Sequence, residues 1–67
     1  MLTTRQQACL DFIGTFLADH SYPPSLADIA DGLGIKSRAQ AHAVVAQLVT
    51  KGKIKKERYR ARSIQII

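Results

Sequence analysis

The sequence predicts a mainly α fold with a small β-hairpin, in which three helices are followed by a two-stranded basic ribbon. Three observations carry that expectation. A side chain able to cap a helix precedes each of three stretches with apolar residues at helical spacing, glycine or proline closes each stretch, and after Gly52 the apolar period shortens toward alternation. The chain has 67 residues, room for one domain spanning 1–67. A domain of this size buries only roughly 60% of the surface its unfolded chain exposes, which leaves little space for a large enclosed active site.

The first helix is expected over about 4–19. Thr3-Thr4-Arg5-Gln6 has the capping-box form, in which a Thr hydroxyl satisfies an exposed amide and Gln reaches back to the cap. Cys9, Phe12, Ile13, Phe16 and Leu17 then recur on one face, while Arg5, Gln7, Asp11, Thr15 and Asp19 fall mostly away from it. Ser21-Tyr22-Pro23-Pro24 ends the run, because proline removes a donor and disfavours helical geometry in the residue before it. His20 is read as a cap or solvent contact at that end.

A second, short helix is expected over about 26–33, capped by Ser25, with Asp28 near its positive end. Leu26, Ile29, Ala30 and Leu33 form its inner stripe, and Gly34 supplies the positive φ at which it stops. Ser37-Arg38-Ala39-Gln40 offers another capping box and opens a third helix over about 38–51, with Ala41, Val44, Val45, Leu48 and Val49 inward. Short helix, turn with glycine, longer helix is the layout of a helix-turn-helix. A ribbon over about 53–67 completes it, with Ile54, Ile64 and Ile66 on one side. No Gly, Asn or Asp lies between Lys53 and Ile67, so a longer loop around Tyr59-Arg60-Ala61 is expected in place of a tight turn. The whole is a winged helix-turn-helix.

Charge divides the chain. Residues 1–35 carry a net charge of −3 and residues 36–67 a net of +8, and Lys51, Lys53, Lys55, Lys56, Arg58, Arg60 and Arg62 crowd into twelve positions. No large amphipathic apolar face accompanies them, which favours nucleic acid over membrane as the polyanion. On the third helix, Ala39, Ala43, Ala46 and Thr50 point away from the core, flanked by Gln40, His42 and Gln47. Gln can read an adenine edge, His can donate to a base or phosphate, and alanine can meet a thymine methyl. Ser37 and Arg38 sit beside free amides suited to phosphate. The alanines leave two readings open, a base-reading face and a surface for a protein partner. Tyr59 alone does not make the stacking platform of single-strand and RNA readers, which points to double-stranded DNA.

Other chemistry finds little footing. Cys9 lies on the buried stripe and has no partner for an internal disulfide, and His20 and His42 stand on different elements. No catalytic residue, metal site or cofactor is expected. No apolar run approaches the about 20 residues of a membrane span, and Met1-Leu2-Thr3-Thr4 lacks a secretory leader's pattern, so a cytoplasmic location is expected.

Leu2-Thr3-Thr4-Arg5-Gln6-Gln7, Asp11-Phe12-Ile13, Pro23-Pro24-Ser25 with Asp28-Ile29-Ala30, Leu33-Gly34-Ile35, Lys51-Gly52 and the closing Arg62-Ser63-Ile64-Gln65-Ile66-Ile67 together resemble the N-terminal DNA-binding domain of the LexA family of SOS-response repressors. The resemblance runs nearly end to end. It implies a transcriptional repressor in a prokaryotic cell, or one encoded by a phage or plasmid there, that reads operator DNA with the third helix and places the wing on the backbone. Pairing of two copies on DNA is also expected. Where that family carries a serine, asparagine, alanine and paired glutamates, this chain has Ser37, Ala39, Gln40, His42 and Ala43, which implies a different operator. Arg58-Tyr59-Arg60-Ala61 is bulkier and more basic than the family's wing turn, so stronger non-specific affinity is expected. The family's self-cleaving domain has no counterpart in these residues, and the expectation is an excised domain or a stand-alone regulator. The alternative is a winged-helix interaction module that docks on a repressor, polymerase or other host protein.

Overall fold

The computed structural model describes residues 1–57 and 62–67. The chain runs α1 (Thr4–His20), α2 (Leu26–Gly32), α3 (Arg38–Thr50), β1 (Ile54–Lys55) and β2 (Gln65–Ile66). Local chemistry sets each boundary. The Thr3 hydroxyl accepts from the Gln6 amide at 3.1 Å while Gln6 Oε1 accepts from the Thr3 amide at 3.0 Å, the full capping box. At the other end Ser21 turns left-handed, with φ 63°, and its amide bonds the Leu17 carbonyl at 2.9 Å. Two prolines then forbid further helix.

Before α2, the Ser25 hydroxyl accepts from the Asp28 amide and Asp28 Oδ2 accepts from the Ser25 amide, both at 3.1 Å. The cap expected from sequence is therefore a reciprocal box. The helix ends at Gly32, one residue early, and Gly34, with φ 67°, turns the chain so that the Ile35 amide reaches the Ala30 carbonyl at 2.7 Å. At α3 the Ser37 hydroxyl accepts from the Gln40 amide at 3.4 Å, and the return bond expected from a Gln40 side chain is absent among the described residues. Helix α3 closes at Thr50, with Lys51 as its cap and Gly52 at φ 74°.

The ribbon has the two short strands expected, each of 2 residues. It pairs Ile54 with Ile66 and Lys55 with Gln65, antiparallel, and residues 56–64 separate the strands, a long connection as expected. The Glu57 amide donates to Ser63 Oγ at 3.1 Å and the Ser63 hydroxyl bonds the Glu57 carbonyl at 3.2 Å, drawing the two arms together. The expected tip, Arg58 to Ala61, lies outside the described residues.

Cys9 and Ile13 of α1, Ile29 of α2, Ala41, Val44, Val45 and Leu48 of α3, and Ile54 and Ile64 from the ribbon meet in one core. Burying a full aliphatic side chain stabilises by about 1.5–3 kcal/mol, so these few residues supply most of the cohesion. Burial pushes the Cys9 thiol up to about 11, in keeping with its expected place on the inner stripe. One inward assignment is corrected. Val49 is 41% exposed, because it follows Val45 by four residues and so sits about 40° farther round, past the rim of the stripe. Ile66 is 45% exposed: it shares a face with its cross-strand partner Ile54, but lies at the open end of the ribbon, where its Cδ1 leans over Gly14 of α1.

Gly32 has a role that its helix-end position did not reveal. A side chain there would run into the Phe12 ring, so the missing Cβ sets how closely α2 approaches α1. The Phe16 ring, next on that face, stacks on His20 with centroids 4.0 Å apart, and His20 Nδ1 lies 3.1 Å from the Phe16 carbonyl. No helix among the described residues is long and apolar enough to cross a membrane.

Candidate nucleic-acid interface

Helix α3 is anchored by Ala41, Val44, Val45 and Leu48, and this fixes what it shows to solvent. Arg38, Ala39, Gln40, His42, Ala43, Ala46, Gln47, Val49 and Thr50 are exposed, with Ser37 half-buried at the cap. The first amides of a helix have no partner in the helix itself, so those beside Ser37 and Arg38 remain available to an anion. No acidic side chain interrupts the exposed face of α3.

Each flank of that face is bounded differently. On one side Gln47 Oε1 accepts from Gln6 Nε2 at 2.7 Å, and Lys51 Nζ donates to Gln6 Oε1 and to the Met1 carbonyl, each at 2.7 Å. Gln6, assigned by sequence only to the cap, is 6% exposed and is the hub of this tie between α1 and α3. Its place at i−3 from Cys9 and i−7 from Ile13 was the signal, since that spacing puts it on the buried stripe. On the other side lies an open groove of about 550 Å³ between α3 and the ribbon, lined by His42, Val45, Ala46, Val49, Thr50, Lys56 and Glu57.

The predicted residues thus separate into three groups. Ser37, Arg38, Ala39, Gln40, His42 and Ala43 lie together on the first half of α3, and Gln40 keeps both atoms of its carboxamide free of protein partners among the described residues. Gln47 does not, since its oxygen accepts from Gln6 Nε2 and the carboxamide is held toward α1, without the free rotation that Gln40 keeps. Lys53, Lys55 and Lys56 flank the ribbon with no ion pair among the described residues, Lys56 half-buried at the groove. Lys51 and Arg62 are held by their own chain: Arg62 Nη1 donates to Asp28 Oδ2 at 2.8 Å and to the Pro23 carbonyl at 3.3 Å, and the guanidinium stands 4.9 Å from the centre of the Tyr22 ring. Arg58, Tyr59 and Arg60 lie outside the described residues. No group of three metal-ligating side chains occurs among the described residues.

A helical pair with a glycine turn, a first helix behind it and a hairpin at its side define a winged helix-turn-helix of the DNA-binding class. Residues 1–63 match the family described as LexA DNA binding domain, and the chain belongs to that family. It is similar to the LexA repressor of Koribacter versatilis (strain Ellin345), 41% identical over 66 residues, which cover 98% of this chain and 31% of that protein. It is also similar to the LexA repressors of Geobacillus sp. (strain WCH70), at 36% identity, and Brevibacillus brevis, at 35%, over 98% of this chain and 32% of each relative. The chain therefore spans about a third of the length of these curated relatives.

Proposed function

We propose that the chain is a sequence-specific double-stranded DNA-binding module of a transcriptional repressor, in which the first half of α3 enters the major groove and the ribbon lysines meet phosphates. One observation carries the reading: the exposed face of α3, without an acidic group, shares a groove with Lys56 of the ribbon, and Lys53, Lys55 and Lys56 have no ion pair among the described residues. Gln40 is the adenine reader, His42 donates to a base or phosphate, and Ala39 and Ala43 allow close approach or meet thymine methyls. Arg38 and the amides at Ser37 hold a phosphate and fix the register of α3. Arg58, Tyr59 and Arg60 extend the phosphate contacts from the wing. A module this small buries modest area, so two copies bind neighbouring half-sites, in the cytoplasm of a bacterial cell.

The test is selection from random duplex DNA followed by a salt titration on the selected and a scrambled duplex. Binding of the selected sequence at least tenfold tighter, with log K falling against log salt at a slope of about −4 to −5 for some five phosphates, supports the reading. Failure to enrich any sequence, or binding indifferent to salt, overturns it. Exposed Val49 beside Ala46 favours a second reading, a protein-docking face. Under it Ala43→Glu abolishes capture of the partner and leaves DNA affinity untouched; under the first, Ala43→Glu weakens DNA binding.

A further inference from the structure

Arg62 belongs by sequence to the basic cluster, yet its guanidinium, though the side chain is 44% exposed, is bonded back to its own chain. It is the first described residue after the wing tip and has a φ of 55°, the left-handed region that a side chain other than glycine seldom occupies. From there its guanidinium reaches back to the start of α2, with Asp28 Oδ2 at 2.8 Å, the Pro23 carbonyl at 3.3 Å and the Tyr22 ring beneath it at 4.9 Å. Asp28 Oδ2 is the same oxygen that accepts from the Ser25 amide in the cap of α2. The wing's second arm is thus fastened to the cap of the helix that packs on α3. Its first arm is fastened separately, by burial of Ile54 and by the Lys53 amide on the Leu48 carbonyl at 3.0 Å.

We infer that Arg62 is a positioning residue, which with Asp28 and Tyr22 sets where the wing's second arm, from residue 62 onward, lies against the start of α2, and does not itself bind phosphate. The inference rests on the proposal that the chain binds duplex DNA. Its geometry makes a prediction opposite in sign to simple charge counting. Removing the Asp28 charge makes the domain more positive and liberates a guanidinium, which by electrostatics alone strengthens binding to DNA. If the second arm is placed by the clamp, the same change weakens binding.

The experiment measures affinity for the selected duplex at several salt concentrations for the unaltered protein, Asp28→Asn, Arg62→Lys and the double variant, with thermal midpoints alongside. Asn at 28 can still accept from the Ser25 amide, so the cap of α2 survives; Lys at 62 keeps the charge and loses the planar fork. Expected are a loss of roughly three- to tenfold for each single variant, a double variant no weaker than either, as for residues that act as one unit, and a salt slope like that of the unaltered protein. Amide cross-peaks of Gln40, His42 and Ala43 stay in place, which separates placement of the second arm from damage to α3. Tighter binding by Asp28→Asn, or unchanged binding by Arg62→Lys with additive effects in the double variant, overturns the inference while leaving the DNA reading intact. Should Asp28→Asn fail to fold, Arg62→Lys alone decides, weaker binding supporting the clamp and no change refuting it. An unaltered protein that binds no duplex overturns both.

Discussion

The side-chain amide of Gln6, in the first turn of α1, donates to Gln47 Oε1 near the end of α3 at 2.7 Å. Every polar atom of the Gln6 side chain is used, because its oxygen also accepts from the Thr3 amide and Lys51 Nζ. Gln6→Ala removes the hub and should cost about 1–2 kcal/mol in urea unfolding, at the modest end for a buried polar group since Gln47 and Lys51 can turn to water.

The two glutamines of α3 should separate in function. Gln40→Ala is expected to relax base preference at one operator position by about 1–3 kcal/mol, read as the difference in affinity between duplexes altered at that position. Gln47→Ala should lower stability more than it alters preference, because the oxygen it removes is bonded to Gln6.

Among the lysines, engagement predicts salt dependence. Replacing Lys55 or Lys56 by Ala should weaken selected and scrambled duplexes alike and reduce the salt slope by about one for each phosphate no longer neutralised. Lys51→Ala should leave the slope nearly unchanged and lower the thermal midpoint, since Lys51 Nζ is bonded to Gln6 and Met1.

Gly32→Ala tests the packing of α1 on α2. The new methyl meets the Phe12 ring, which must swing out, at a cost of about 1–3 kcal/mol in denaturant unfolding. Phe12→Leu in the same chain should recover part of that stability, and a non-additive pair would place the two residues in direct opposition.

Acid should act through Asp28. The Ser25 amide above all holds its carboxyl below the ordinary carboxylate value of 3.8; desolvation, next in size, opposes this, and the Ser25 hydroxyl and Arg62 add smaller lowering effects. The unfolded chain therefore takes up this proton first as pH falls. The stabilisation is complete above the ordinary value and disappears as pH descends through the lower folded one. A thermal midpoint followed from about pH 6 to about pH 2 should fall less steeply in Asp28→Asn than in the unaltered protein.

Most of the scaffold was legible because its signals are local. Thr3, Ser25 and Ser37 each stand one residue before a helix, Gly34 takes the positive φ expected of it, and Gly52 closes α3 where expected. What escaped involves residues distant in sequence. Gln6 with Gln47, Lys51 with Met1, and Arg62 with Asp28 are pairs 34 to 50 residues apart; helical spacing places Gln6 on the buried stripe, but no period marks which residue each one meets. The number of basic residues accordingly overstated how many are free to meet phosphate, and only the folded chain distinguishes Lys55 from Lys51. Val49 was misplaced for a related reason, and Ile66 is exposed on the expected side, since a period gives direction but not the extent of the cover above it.

Ala39, Gln40, His42 and Ala43 form an exposed tract whose side chains carry no hydrogen bond and take no part in the core among the described residues. Stability is vested in the opposite side of α3 and in the ties at its flanks. Such a division lets a lineage exchange these four residues without first having to repair the fold, and under the proposed base-reading role the preferred DNA sequence would change with them. If they read bases as proposed, the same separation makes the domain a suitable starting point for rewriting DNA preference by library selection at these four positions.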